Sequence, residues 1–116
     1  MKIIQITDLH LRCDKDYDAF DVNTFQSARI IIDHICHVHK DLNALIISGD
    51  ISDDETSESY SNLLELTDKI DTNIYLMPGN HDSITEIKKC ASISKVKSEL
   101  YFVKDNSFDY AEKIEN

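Results

Sequence analysis

NALIISGD, residues Asn43 to Asp50, is the stretch that decides how this chain folds. Ala44 to Ile47 form a short, unbroken apolar run, bounded by Asn43 on one side and by Gly49 on the other. A run that brief and that uniformly apolar is the pattern of an interior strand in a parallel sheet, covered on both faces. Where the strand stops, one of the chain's two glycines is followed at once by a carboxylate, Asp50.

Regular patterns extend in both directions from this strand. On the amino-terminal side, Phe25, Ala28, Ile32, Ile35, Cys36 and His39 recur at three- and four-residue steps, which predicts a helix from Asn23 or Thr24 to about Lys40. Before it, KIIQIT (Lys2 to Thr7) is β-branched and predicts a buried strand that stops at Asp8, and a polar loop, DLHLRCDKDYDAFD, follows. On the other side, TSESYSNLLELTDKI offers Thr56 or Ser57 as the N-cap of a partly apolar helix reaching Ile70. NIYLMP predicts a third strand ended by the chain's only proline, Pro78. Ser83 and Glu86 are spaced as the capping box of a third helix, Ile84 to about Ser92, and ELYFVKD (Glu99 to Asp105) reads as a fourth strand. No linker, repeat or low-complexity segment interrupts the order βαβαβαβ. It predicts one α/β domain over residues 1–116, with a mainly parallel sheet and right-handed crossovers.

The formal charge of −10 arises from 22 acidic against 12 basic residues, with no Lys/Arg cluster. That balance weighs against a grip on nucleic-acid phosphate or on an anionic membrane surface. It also repels a phosphate substrate unless bound cations invert the sign locally. The three cysteines, Cys13, Cys36 and Cys90, show no CxxC spacing, and the chain opens as a strand rather than as a signal peptide, so a reducing cytoplasm is the expected setting. No apolar run reaches the length of a membrane span.

In parallel sheets of this kind, ligands gather outside the carboxyl ends of the strands. Strand one ends in TDLH, strand two in SGD and strand three in PGNHD, so Asp8, His10, Asp50, Asn80 and His81 can converge on one rim. A mixed set of carboxylate, imidazole and amide donors suits Mn, Fe or Zn. Asp50, with two oxygens, could bridge a pair of ions. Glycines before Asp50 and before Asn80 would let the backbone turn sharply and permit close approach. Each position alone has an ordinary explanation as a helix cap or strand terminator. The three blocks together, each after a strand, are far harder to explain that way.

ITDLHL, ISGDISDDETSESY and LMPGNHDS resemble three signature blocks of the calcineurin-like metallophosphoesterases, in the style of the bacterial cyclic-nucleotide phosphodiesterase branch. The resemblance implies two divalent metal ions: Asp8 and His10 would hold the first, Asp50 would bridge both and Asn80 would hold the second. It further implies that His81 contacts the phosphate and assists the leaving group, steadied by Asp82. The implied reaction is metal-dependent hydrolysis of a phosphoester, a phosphodiester of cyclic-nucleotide type.

That family completes its metal shell with histidines from a later half, and here no histidine follows His81. The chain therefore reads as the first half of an αββα sandwich. Weak Mn or Zn binding, slow or absent turnover, and self-association or a complementing second half are the expected consequences. Two other function classes stand beside this one. A scaffold on the same fold would lack the chemistry, and a receiver-type phospho-acceptor domain would use Asp8, Asp50 and Lys104. DHICHVHK (Asp33 to Lys40) gathers His34, Cys36, His37 and His39, with His34 and His37 sharing a helix face, and is read as partly buried helix rather than as a metal site.

Overall fold

The computed structural model describes residues 1–93. Helix α1, Thr24–Val38, begins where its apolar spacing begins: the Asn23 side chain accepts the Gln26 N–H, and Phe25, Ala28, Ile32 and Ile35 form the buried stripe. Helix α2, Ser57–Thr67, is capped by Thr56, whose hydroxyl accepts the Ser59 N–H at 3.2 Å. It stops three residues short of the expected end, because Ile70 closes a turn back onto the Thr67 carbonyl. Ile70 stays buried there, which is why its apolar character extended the helical pattern. Helix α3, Ile84–Ile93, starts with the predicted contact from the Glu86 N–H to the Ser83 hydroxyl at 3.3 Å.

Strands β1 (Ile3–Thr7), β4 (Ala44–Ser48) and β5 (Asn73–Met77) form a parallel sheet in the order β1-β4-β5, with Ile3 opposite Ala44 and Ala44 opposite Asn73. β4 is the interior strand, and Ala44, Leu45 and Ile47 are fully buried, as its apolar run predicts. β1 differs from expectation: it is not buried, Ile3 being 42% exposed and Gln5 and Thr7 exposed with it. Among the described residues it pairs with β4 alone, so only Ile4 and Ile6 reach the core.

The register explains where that core sits. Ile4 and Ile6 align with Leu45 and Ile47, and these with Ile74 and Leu76, so one face of the sheet carries an apolar band. Against it pack Ala28 and Ile32 of α1, Leu63 and Leu66 of α2 and Ile87 of α3, in one continuous cluster. The other face carries Ile3, Gln5 and Thr7, all exposed, together with half-buried Ile46 and Ser48.

A small antiparallel ribbon, β2 (Asp18–Ala19) with β3 (Val22–Asn23), interrupts the segment that reads as a plain polar loop. Phe20 and Asp21 form its tip with φ of 50° and 63°, and the Phe20 side chain is fully exposed. Positive φ at both loop positions is the type I′ requirement, which Asn-Gly ordinarily supplies. The expected fourth strand, Glu99 to Asp105, lies outside the described residues. Among those described, no helix is long and apolar enough to cross a membrane.

Candidate metal centre

Hydrogen bonding between the two segments continues beyond the ends of β1 and β4. The N–H groups of Asp8, His10 and Leu11 donate to the carbonyls of Gly49, Asp50 and Ile51 at 3.1, 3.0 and 2.9 Å, and the Asp53 N–H returns to Leu11 at 2.9 Å. The Gly49 N–H meanwhile reaches the Met77 carbonyl at 2.7 Å. The two segments bearing the candidate ligands are thereby fixed in register, as two strands would be.

Their backbone is not strand-like, however. Asp8, His10 and Asp50 adopt φ of 56°, 46° and 44°, in the left-handed region. Each such conformation costs an L-residue roughly 1–2 kcal/mol, and outliers of this type cluster where a site has to be aimed. Here the consequence is convergence: one ligand atom from each of Asp8, His10 and Asp50 lies within 4.8 Å of the others. Among the described residues this is the one group of three or more His, Cys, Asp or Glu side chains so arranged. Two carboxylates and an imidazole at that separation fit a single divalent cation.

The surroundings hold these side chains in place. The Thr7 hydroxyl donates to the Asp8 carboxylate at 2.6 Å, and the Thr24 hydroxyl donates to the His10 carbonyl at 3.0 Å, tying the ligand segment to the first residue of α1. The His10 Nδ1 lies 3.5 Å from Asp53, while Nε2 lies 3.8 Å from Asp8. A carboxylate behind the far ring nitrogen fixes the orientation of a metal-ligating histidine. Asp53 is itself paired with Arg12, whose guanidinium lies over the Tyr17 ring at 4.0 Å. Burial works to lower the Arg12 pKa, but the hydrogen bond and charge of Asp53 outweigh it and raise it.

Asn80 and His81 occupy the exposed apex of a turn closed by the Asp82 N–H on the Gly79 carbonyl at 3.3 Å. The His81 N–H donates to Asp50 Oδ1 at 3.1 Å, and its ring meets that of His10 edge-on with 6.2 Å between centroids. Gly79 is required for close approach, since a Cβ there would lie 2.2 Å from Asp50 Oδ1 and 2.3 Å from the Asp50 amide nitrogen. Gly49 has room for a side chain and is needed instead for its φ of 72°.

Asp82 corrects the sequence reading. Rather than steadying the His81 ring, its carboxylate faces inward and accepts four hydrogen bonds. Oδ2 takes Gly79 N–H at 2.7 Å and Ile51 N–H at 3.0 Å, while Oδ1 takes Ser52 N–H at 2.9 Å and the Tyr60 hydroxyl at 3.1 Å. Four donors fill the acceptor capacity of a carboxylate. The Tyr60 oxygen in turn accepts the Ser83 N–H at 2.7 Å. Burial pushes the Tyr60 phenol well up, the Ser83 amide opposes this, and the Asp82 charge adds to the rise, so the hydroxyl stays a donor.

Asp53, Arg12 and Tyr60 were not singled out from sequence. The aspartate pair that ends GDISDD is a signal for Asp53; Tyr60 carries none beyond its place in an apolar stripe. Asp54, the other member of that pair, ties Cys13 to the loop before α2. Burial pushes the Asp54 carboxyl up, but hydrogen bonds from the Cys13 N–H and from the Thr56 hydroxyl and N–H prevail and hold its pKa at about 2. The same carboxylate raises the Cys13 thiol, which accordingly lacks the character of a reactive thiolate.

DHICHVHK forms no metal group. The His34 ring meets His39 edge-on at 5.8 Å rather than pairing with His37, whose Nδ1 lies 2.7 Å from the Asp33 carbonyl. Cys36 and His39 line a cavity of about 260 Å³ between the end of α1 and the Lys69–Thr72 turn, away from the ligand cluster.

A model of the calcineurin-like phosphoesterase family matches residues 1–115. The chain is 30% identical over 106 residues to a 3',5'-cyclic-nucleotide phosphodiesterase of Nostoc sp. (strain PCC 7120), covering 91% of this chain and 40% of that protein. It is 30% identical over 82 residues to the 3',5'-cyclic adenosine monophosphate phosphodiesterase of Vibrio vulnificus, covering 71% of this chain and 30% of that one, and 29% identical over the same length to that of Escherichia coli K12. The chain thus spans less than half the length of these relatives. The match runs through all three converging segments, and with the parallel sheet that brings them together it shows that this chain belongs to the calcineurin-like phosphoesterase family.

Proposed function

We propose that the chain carries the metal-binding portion of a phosphoester hydrolase, a phosphodiesterase of cyclic-nucleotide type. The observation that supports this most strongly is the convergence of Asp8, His10 and Asp50 within 4.8 Å. The names of the relatives suggest the substrate class.

In this reading Asp8 and His10 hold one ion of Mn, Fe or Zn, Asp50 is shared, and Asn80 holds a second. Such ions, when bound, place positive charge against phosphoryl oxygens and lower the pKa of a coordinated water. The protein's own contribution is orientation. Asp53 fixes the His10 ring, Thr7 fixes the Asp8 carboxylate, and the His81 amide fixes one oxygen of Asp50. His81, exposed beside the cluster, is placed to give a proton to a departing alkoxide. Asp82 acts through the backbone, holding the turn that offers Asn80 and His81 to the cluster.

A catalytically silent scaffold on the same fold is the second reading, supported by the small number of converging donors. Three side chains leave a divalent ion with open positions, consistent with weak binding unless a complementing half or a second copy supplies more. The exposed face of the sheet is where either would pack, and the free thiols of Cys13 and Cys36 suit a cytoplasmic setting. Calorimetric titration with Mn(II) tests the two readings. Saturable heat for the wild type and none for Asp50→Ala or Asp8→Ala supports the metal centre, whereas equal heats for all three support the scaffold. Turnover of bis(p-nitrophenyl) phosphate, lost in Asp50→Ala, would extend the result to chemistry.

A further inference from the structure

The turn that carries Asn80 and His81 holds its shape through a partly buried hydrogen-bond hub. Asp82 gathers the amides of Gly79, Ile51 and Ser52, which joins this turn to the segment bearing Asp50. The fourth donor, the Tyr60 hydroxyl, comes from α2, and the same oxygen receives the Ser83 amide at the far end of the turn. Tyr60 is 1% exposed, so its ring is fixed by packing and the hydroxyl has no water to fall back on. Beside it on α2, the Ser59 hydroxyl meets the Ser52 hydroxyl at 2.6 Å, a second tie to the same segment.

We propose that Tyr60 is a positioning residue: its phenol, clamped between the Asp82 carboxylate and the Ser83 amide, sets the angle at which Asn80 and His81 are offered to Asp8, His10 and Asp50. The proposal rests on the metal-centre reading above. It does not follow from the ligand motifs themselves, since Tyr60 touches no candidate ligand and acts by way of Asp82. Removing only the hydroxyl leaves Asp82 Oδ1 with one donor and the Ser83 N–H unpaired. The Gly79-to-Ser83 turn loses its attachment to α2 while the core keeps its ring.

The test compares wild type, Tyr60→Phe and Leu63→Ala in the full chain, with Leu63→Ala opening a cavity on the same helix without touching the hub. Each is titrated with Mn(II), and amide hydrogen exchange is followed at Gly79 and Ser83. Tyr60→Phe is expected to weaken Mn(II) affinity about tenfold, as loss of an outer partner does at metal sites, and to speed exchange at both amides. Leu63→Ala is expected to lower the melting temperature while leaving affinity at the wild-type value. Unchanged affinity in Tyr60→Phe would overturn the proposal. So would an equal loss in Leu63→Ala, since the effect would then be one of stability alone. A wild type that takes up no Mn(II) would end the metal-centre reading itself and this proposal with it.

Discussion

The His81 amide donates to Asp50 Oδ1 across 3.1 Å, so the backbone that carries the exposed imidazole is tied directly to the central carboxylate of the cluster. Thirty-one residues separate them in sequence, and it is Gly79 that lets the two segments touch.

Gly79→Ala is therefore expected to be the more damaging of the two glycine substitutions. Its Cβ would meet Asp50 backbone and side chain at 2.3 and 2.2 Å, a clash relieved only by moving the turn away, at a cost of about 1–3 kcal/mol or more. Gly49→Ala meets only the Thr7 hydroxyl oxygen, at an ordinary contact distance of 3.7 Å, and bears chiefly the left-handed φ, about 1–2 kcal/mol. Thermal denaturation paired with Mn(II) titration checks this: Gly79→Ala should lose affinity as well as stability, and the reverse ranking would show that the contact was misassigned.

Asp82 and His81 are adjacent, but their substitutions should behave differently. Asp82→Ala abandons three backbone amides and a buried phenol and is expected to destabilise the fold by about 2–4 kcal/mol. His81→Ala removes an exposed ring and should change stability by no more than about 0.5 kcal/mol, while abolishing any phosphodiesterase turnover. Chemical denaturation of the two variants gives the comparison; equal stability losses would restore the direct partnership that the sequence suggested.

Asp54 sets an acid limit on the fold. Its pKa falls from an ordinary 3.8 to about 2 in the folded state, so its contribution is complete above pH 4 or so. That contribution disappears as pH drops toward 2 and the carboxylate gains its proton. Asp54→Asn should lower the melting temperature at pH 7 and flatten its fall between pH 4 and about 2. A variant curve parallel to the wild type over that interval would show that the carboxylate does not carry the dependence.

How legible this was in the sequence depended on how local each determinant is. α1 and β4 followed from periodicity and from an apolar run, both local signals that burial then satisfied. The burial of β1 was misread because an edge position depends on sheet order, which KIIQIT cannot reveal. The β2–β3 ribbon escaped notice because Phe20-Asp21 lacks the Asn-Gly signal of a tight turn. The convergence of Asp8, His10 and Asp50 was legible because each follows a strand of a parallel sheet. Three of the four partners of Asp82 lie 22 to 31 residues away, and only the folded chain identifies them.

Location of a bound ion tests the central claim most directly. Anomalous diffraction from crystals of the chain grown with Mn(II) should place a peak roughly 2.0–2.4 Å from carboxylate oxygens of Asp8 and Asp50 and a ring nitrogen of His10. A well-occupied peak elsewhere, with those three side chains free of metal, would contradict the account.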